Sequence, residues 1–283
     1  MPDLIVAAAT PLRDGGSAVD LEAIAGYVAF LESHRSQGVF ACGTTGEGVL
    51  LDLDERRAVA SAFRRAVSGR LIVHAGAQTT ADTVALAAHA RDIEADAVAV
   101  IPPPYFTLDA DALTAHMVAA ARACAPLPFY GYAFTPRSGY PLSVEVVERV
   151  RGAVDNFAGL KVSESPYERV APYLSLGLPV FIGSEPLIPR GLDAGAVGSV
   201  SGMAAAFPDV LRAAVDAPTD AEPRLRALRD ALERDGQFIA SIKHVLGRRG
   251  VGVGPDVRAP LRPLTADEAT RLDAALGDLG LAR

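Results

Sequence analysis

Eight short apolar runs recur through the first two-thirds of the chain at intervals of roughly 20 to 30 residues, and segments of helical period lie between them. The runs are Leu4–Ala8, Gly38–Cys42, Leu71–Gly76, Ala97–Ile101, Leu127–Tyr132, Phe157–Val162, Pro179–Gly183 and Ala196–Val200. Each is apolar without alternation, which is the pattern of a parallel strand buried on both faces. The clearest helical segments are Asp20–His34, Asp54–Val67, Thr80–Glu94, Asp109–Cys124 and Val144–Val150, with Asp20, Asp54, Thr80, Asp109 and Ser143 expected as N-caps. Alternating strands and helices fit either a closed barrel or an open doubly wound sheet. The count of eight favours the barrel, and no Gly-x-Gly-x-x-Gly follows the first run as a dinucleotide fold would require. The expected fold is therefore an α/β (β/α)8 TIM barrel over residues 1–203. Residues 204–283 form a C-terminal helical extension packed on it, built from Pro208–Ala217, Pro223–Asp235, Gln237–Leu246 and Thr265–Leu279.

A chain of 283 residues suits one such barrel. Its net charge of −7 disfavours nucleic acid and anionic membrane surfaces as partners. No apolar stretch approaches the length that spans a bilayer. The N-terminal run Leu4–Ala9 is too short for a secretory signal. Two cysteines, Cys42 and Cys124, are too few for a disulfide framework and are expected as buried thiols in a reducing cytoplasm.

Of the 27 Lys and Arg residues only two are lysine, Lys161 and Lys243. A chain that uses arginine for its surface cations keeps lysine where arginine will not serve, and only lysine can shed its proton to become a nucleophilic amine. Lys161 lies inside the sixth apolar run, where burial lowers an amine's pKa and a neutral amine can attack a ketone. The alternative is a lysine at a strand end paired with Glu164 or Glu185. Lys243 reads as a partly exposed residue of the helical tail. The five histidines, His34, His74, His89, His116 and His244, show no metal-ligand spacing, and no cofactor is expected.

Active sites of such barrels gather at the C-terminal ends of the strands. The second run ends in Gly43-Thr44-Thr45-Gly46-Glu47-Gly48, a turn of hydroxyls and free N–H groups suited to a carboxylate. The fourth ends in Pro102-Pro103-Pro104-Tyr105-Phe106. The fifth ends at Tyr132, a candidate proton carrier, and leads to Arg137, a candidate bidentate partner for a carboxylate. The seventh ends in Gly183-Ser184-Glu185 and the eighth in Gly198-Ser199-Val200-Ser201-Gly202.

Taken in order, Gly43-Thr44-Thr45-Gly46-Glu47, Pro103-Pro104-Tyr105, Leu127-Pro128 leading to Tyr132, Gly159-Leu160-Lys161 and Gly195 to Ser201 resemble the dihydrodipicolinate synthase / N-acetylneuraminate lyase family of pyruvate-dependent aldolases over nearly the whole chain. The resemblance implies a lyase in which Lys161 forms a Schiff base and Tyr132 relays protons. It implies that Thr45 binds the keto-acid carboxylate, with Thr44 linking the hydroxyl chain, and that Val200 and Gly183 lie beside pyruvate. It also implies small-molecule partners, a 2-oxo acid and an aldehyde. The assembly implied is a homo-oligomer, a dimer or tetramer, whose Tyr105-Phe106 loop reaches a neighbouring subunit.

Arg137 matches the synthase arginine that holds the second substrate's carboxylate, and points to condensation of pyruvate with aspartate semialdehyde. Phe106 stands where the synthases usually have a second relay tyrosine, and Val162 where they commonly have Glu. Leu53 and Arg56 replace the histidines of lysine-inhibited members. These departures keep open an aldolase or dehydratase of another 2-oxo acid (N-acetylneuraminate or 2-keto-3-deoxygluconate type), or a non-catalytic ligand-sensing barrel.

Overall fold

In the computed structural model, which describes residues 1–281, every apolar run becomes a strand of one closed parallel barrel. The strands are β1 (Asp3–Ala7), β2 (Gly38–Ala41), β3 (Arg70–His74), β4 (Ala97–Val100), β5 (Phe129–Ala133), β6 (Phe157–Val162), β7 (Val180–Ile182) and β8 (Gly198–Ser201). They pair in chain order, and β8 closes onto β1 with Asp3 opposite Gly198 and Val6 opposite Ser201. The β6 span coincides with the expected one; the others shift by one or two residues at an end, where strands fray.

Alternate residues along each strand face opposite ways. One set fills the barrel: Ile5, Phe40, Ile72, Ala97, Ala99, Tyr132, Phe181 and Val200. The other set, including Leu4, Val39, Leu71, Val98, Phe129 and Leu160, packs outward against the helices. The register places Lys161 on β6 opposite Tyr132 on β5 and Phe181 on β7, so its side chain shares the inward face.

Seven helices follow the first seven strands in turn: α1 (Ala23–Ser33), α2 (Leu53–Ala66), α3 (Thr80–Asp92), α4 (Ala110–Cys124), α5 (Val144–Ala153), α6 (Tyr167–Leu174) and α7 (Ile188–Asp193). The eighth unit is completed by α8 (Pro208–Asp216), which lies against β1 and β8. Three further helices, α9 (Ala221–Glu233), α10 (Phe238–Arg248) and α11 (Ala266–Asp278), are added to it, and α9 packs on the turn after β7. The sequence pattern does not reveal α6 and α7. Both are short, and Pro172 inside α6 and Pro189 in the first turn of α7 read as breakers. A small hairpin, Leu12–Arg13 with Ala18–Val19, is likewise added after β1.

Three expected N-caps are corrected. α2 is capped by Asp52, not Asp54: Asp52 accepts from the Glu55 N–H while the Glu55 side chain accepts from the Asp52 N–H, a reciprocal capping box. Asp54 instead sits in the first turn and pairs with Arg57. α3 is capped by Thr79, one residue before Thr80. Asp109 and Ser143 cap as expected. Asp20 accepts from the Ala23 N–H, while the N-cap position itself is Glu22. Cys42 and Cys124 are both buried and free. Among the described residues, no helix is long and apolar enough to cross a membrane.

Asp52→Ala should lower unfolding free energy by about 1 kcal/mol. Asp54→Ala, which removes only an exposed i,i+3 pair, should cost less than about half of that. Urea unfolding of both variants checks this; equal losses would contradict the capping box.

Candidate active site

Lys161 is the fifth residue of β6 and stands near the barrel's C-terminal mouth with 4% of its surface exposed. Its Nζ lies 4.1 Å from the centroids of both the Phe40 and Tyr132 rings. Among the described residues it makes no ion pair, which removes the alternative of a lysine paired with Glu164 or Glu185. Glu164 Oε1 instead accepts from the backbone N–H and hydroxyl of Thr135, at 2.7 and 2.9 Å. Glu185 accepts from Ser201 Oγ and the Met203 N–H, both at 3.0 Å, and from Arg229 at 2.9 Å. Burial brings the Lys161 amine down to about 7, opposed by the negative charge of Glu185. Two aromatic faces are weak partners for an ammonium compared with water, so desolvation wins.

The Tyr132 hydroxyl is 3.4 Å from Thr44 Oγ1. Burial raises its pKa, while the hydroxyls of Thr44 and Ser163 and the Arg137 charge lower it in part. The phenol therefore stays protonated near neutral pH and can both donate and accept within a hydroxyl chain. Behind it, His74 stacks edge-on to Tyr132 at 5.9 Å and is held neutral by burial and by the charges of Arg56 and Lys161.

Thr44 and Thr45 are carried by the turn after β2. The turn folds back on itself: the Glu47 N–H donates to Thr44 O and the Gly48 N–H to Gly43 O, both at 3.1 Å. Residue 48 must be glycine, because a Cβ there would overlap the Cys42 carbonyl oxygen. At residue 183 a Cβ would displace the Ser163 hydroxyl, which lines the same cavity as Lys161. The Thr44, Thr45, Tyr132, Arg137, Lys161, Gly183 and Val200 positions all line one cavity of about 220 Å³. That volume accommodates a small organic acid, with the hydroxyls of the Thr44-Thr45 turn and the Lys161 amine both on its wall.

Arg137 is carried on a single helical turn, Thr135–Ser138, whose first N–H and hydroxyl are bound by Glu164. Its guanidinium lies 5.8 Å over the Phe134 ring, and it forms no ion pair among the described residues. It is thus a free cation at the cavity wall, available to an incoming carboxylate.

Tyr105 and Phe106 are not brought to this cavity. They form an edge-on pair with centroids 4.9 Å apart, 87% and 67% exposed, with Tyr105 in the left-handed region at φ 82°. Lys243 is also corrected: it is fully buried, not partly exposed, and pairs with Glu47 at 2.6 Å. Glu47 therefore points its carboxylate away from the substrate turn into the protein.

Several lining residues escape sequence reasoning. Arg229, Glu233, Gln237, Phe238 and Arg262 reach the cavity from the C-terminal helices and the segment before α11. In an arginine-rich tail, Arg229 carries no signal of its own. Ser163 was detectable in principle, since it is two residues beyond Lys161 and so on the same strand face. Among the described residues, no three His, Cys, Asp or Glu side chains stand where they could share a metal ion. The groups available are an amine brought down to about 7, a pair of hydroxyls beside it and a guanidinium without an ion-pair partner among the described residues.

Comparison with known proteins identifies the family. Residues 1–279 match the model of the Dihydrodipicolinate synthetase family. An uncharacterized DapA-like lyase of Halobacterium salinarum is 36% identical over 95% of this chain and 91% of its own. The N-acetylneuraminate lyase of Danio rerio is 37% identical over a shorter stretch, 56% of this chain and 54% of its own. The crystal structure of YagE from E. coli K12, a member of the dihydrodipicolinic acid synthase family in complex with pyruvate, superposes with a TM-score of 0.92. It covers 99% of both chains at 22% identity, a likeness that concerns the fold. A family match of this extent, with a relative this similar along the chain, makes the protein a lyase of the dihydrodipicolinate synthetase family.

Proposed function

We propose that the protein condenses or cleaves 2-oxo acids through an imine on Lys161, with pyruvate as the keto acid. The observation that carries this is the buried Lys161 amine without a counter-charge, brought down to about 7. At neutral pH about half of such an amine is unprotonated, against roughly one in three thousand for a lysine at its ordinary value. The Nζ lone pair attacks C2 of pyruvate and the N–C bond forms. The former carbonyl oxygen takes protons from the Tyr132–Thr44 chain and leaves as water. The resulting iminium draws electrons from C3, whose proton passes to the Tyr132 oxygen left deprotonated by the loss of water, and an enamine forms. That carbon then attacks the carbonyl of an aldehyde, and Tyr132 returns a proton to the new alkoxide. Hydrolysis of the imine regenerates the lysine. The reverse sequence cleaves the same bond.

For the second substrate we favour an aldehyde bearing a carboxylate, of the aspartate semialdehyde type, which the unpaired Arg137 would hold. A second reading, cleavage or dehydration of a sugar-derived 2-oxo acid, is favoured by a different observation. A second cavity shares Phe134, Arg137 and Ser163 with the first and is also lined by Ser165 and Ser184, which suits a polyhydroxylated tail. The exposed Tyr105-Phe106 pair supports a homo-oligomer in which this aromatic loop is covered by a second copy.

Borohydride reduction in the presence of pyruvate should leave a covalent adduct on Lys161 and none on the ion-paired Lys243, as read by peptide mass spectrometry. Absence of an adduct on Lys161 would refute the imine reading. Arg137→Ala should raise the KM for aspartate semialdehyde by about 30-fold or more, the loss of a charge-assisted contact, with pyruvate trapping unchanged. Inert aspartate semialdehyde alongside turnover of sugar acids would decide for the second reading.

A further inference from the structure

The second lysine is buried more completely than the first, yet the imine chemistry makes no use of it. Lys243 on α10 has no exposed surface, and its Nζ lies 2.6 Å from Glu47 Oε1 and donates to the Asp256 carbonyl at 2.6 Å. The other carboxylate oxygen of Glu47 accepts from the Arg258 N–H at 2.6 Å. Glu47 is thus held from two sides by the C-terminal region, through α10 and through the strap at 256–258. It belongs to the same tight turn as Thr44 and Thr45, and that turn has little independent freedom. Thr10 Oγ1 donates to Gly46 O at 2.6 Å, Glu47 itself sits in the left-handed region at φ 56°, and Gly48 lies beneath the Cys42 carbonyl. A non-glycine residue in that conformation persists where its surroundings fix it. The Thr44 hydroxyl at the turn's other side must meet Tyr132. A displacement of Glu47 is therefore transmitted to the two threonines.

We infer that Lys243 is a positioning residue: through its buried ion pair with Glu47, the C-terminal helices set the Thr44-Thr45 turn that receives the keto-acid carboxylate. This rests on the reading of Lys161 as the imine-forming lysine. The pair couples an element outside the eight β/α units to substrate binding, and places the second lysine of the chain one contact behind the first lysine's substrate.

Lys243→Met alone would leave Glu47 buried and unpaired, and its loss of folding would say nothing about position. The informative variants are Glu47→Gln, and Glu47→Gln combined with Lys243→Met. Replacement of a buried ion pair by uncharged groups of similar shape is commonly tolerated. Adduct formation with pyruvate is followed by borohydride trapping as a function of pyruvate concentration, with thermal unfolding as the control on folding. The half-saturating pyruvate concentration should rise about tenfold in the folded double variant, with the limiting trapping rate at saturation within about twofold of wild type. A folded double variant with wild-type half-saturation overturns the inference, as does failure of both variants to fold, which would assign the pair to folding alone. Wild-type protein that forms no adduct overturns the imine reading and this inference with it; an adduct in wild type with unchanged variants overturns this inference alone.

Discussion

The site depends on an amine kept out of water with no carboxylate to hold its proton. Two carboxylates are close enough in sequence or space to have paired with Lys161, and each is occupied elsewhere: Glu164 by Thr135, and Glu185 by Ser201, Met203 and Arg229. Their engagement is as much a part of the chemistry as the lysine. Had either carboxylate been free to meet Nζ, the amine would have stayed an ammonium and its lone pair would have been unavailable. The same bonds have structural uses. Glu164 anchors the helical turn that presents Arg137, and Glu185 ties the turn after β7 to β8 and to α9.

Closure of the barrel converts separate strand ends into one site. Because β8 returns to β1, residues from β2, β5, β6, β7 and β8 surround a single axis, and the inward half of each strand supplies the aromatic and aliphatic floor beneath Lys161. The helices beyond the eighth unit and the segments joining them complete the wall, contributing Arg229, Gln237, Phe238 and Arg262. The cavity wall thus combines groups on the strand ends, which surround the amine, with groups from the C-terminal region, which the strands do not constrain.

The fold was legible because a parallel strand buried on both faces writes an unbroken apolar run, and eight of them leave few architectures. Lys161 was legible for the related reason that a charge inside such a run is costly, and this chain otherwise prefers arginine. Tyr132, Thr44, Thr45 and Arg137 were marked by their places at or just after strand ends and by the family resemblance, and the structure brings them to one cavity. Legibility failed where the deciding contact is remote in sequence. Lys243 looks like an ordinary helix residue until α10 is laid against the turn holding Glu47, and nothing local marks either partner. Arg229 disappears among many arginines. Tyr105 and Phe106 were attractive by motif, but they are exposed and do not line this chain's own cavity. The cap at Asp52 was missed because Asp54, two residues on, has the same chemistry and only the reciprocal bonds with Glu55 tell them apart.

The central claim is that burial, not a partner, makes the Lys161 amine nucleophilic near neutral pH. The pH dependence of imine formation tests it most directly, measured as the single-turnover rate of pyruvate adduct formation on Lys161 at fixed saturation. An amine whose pKa is depressed to about 7 is protonated and inert below that value and uncharged above it. The account therefore predicts a rate that climbs with pH through a midpoint near 7 and levels off well before pH 9. A rate still rising tenfold per pH unit through 9, toward the ordinary lysine value, would contradict it.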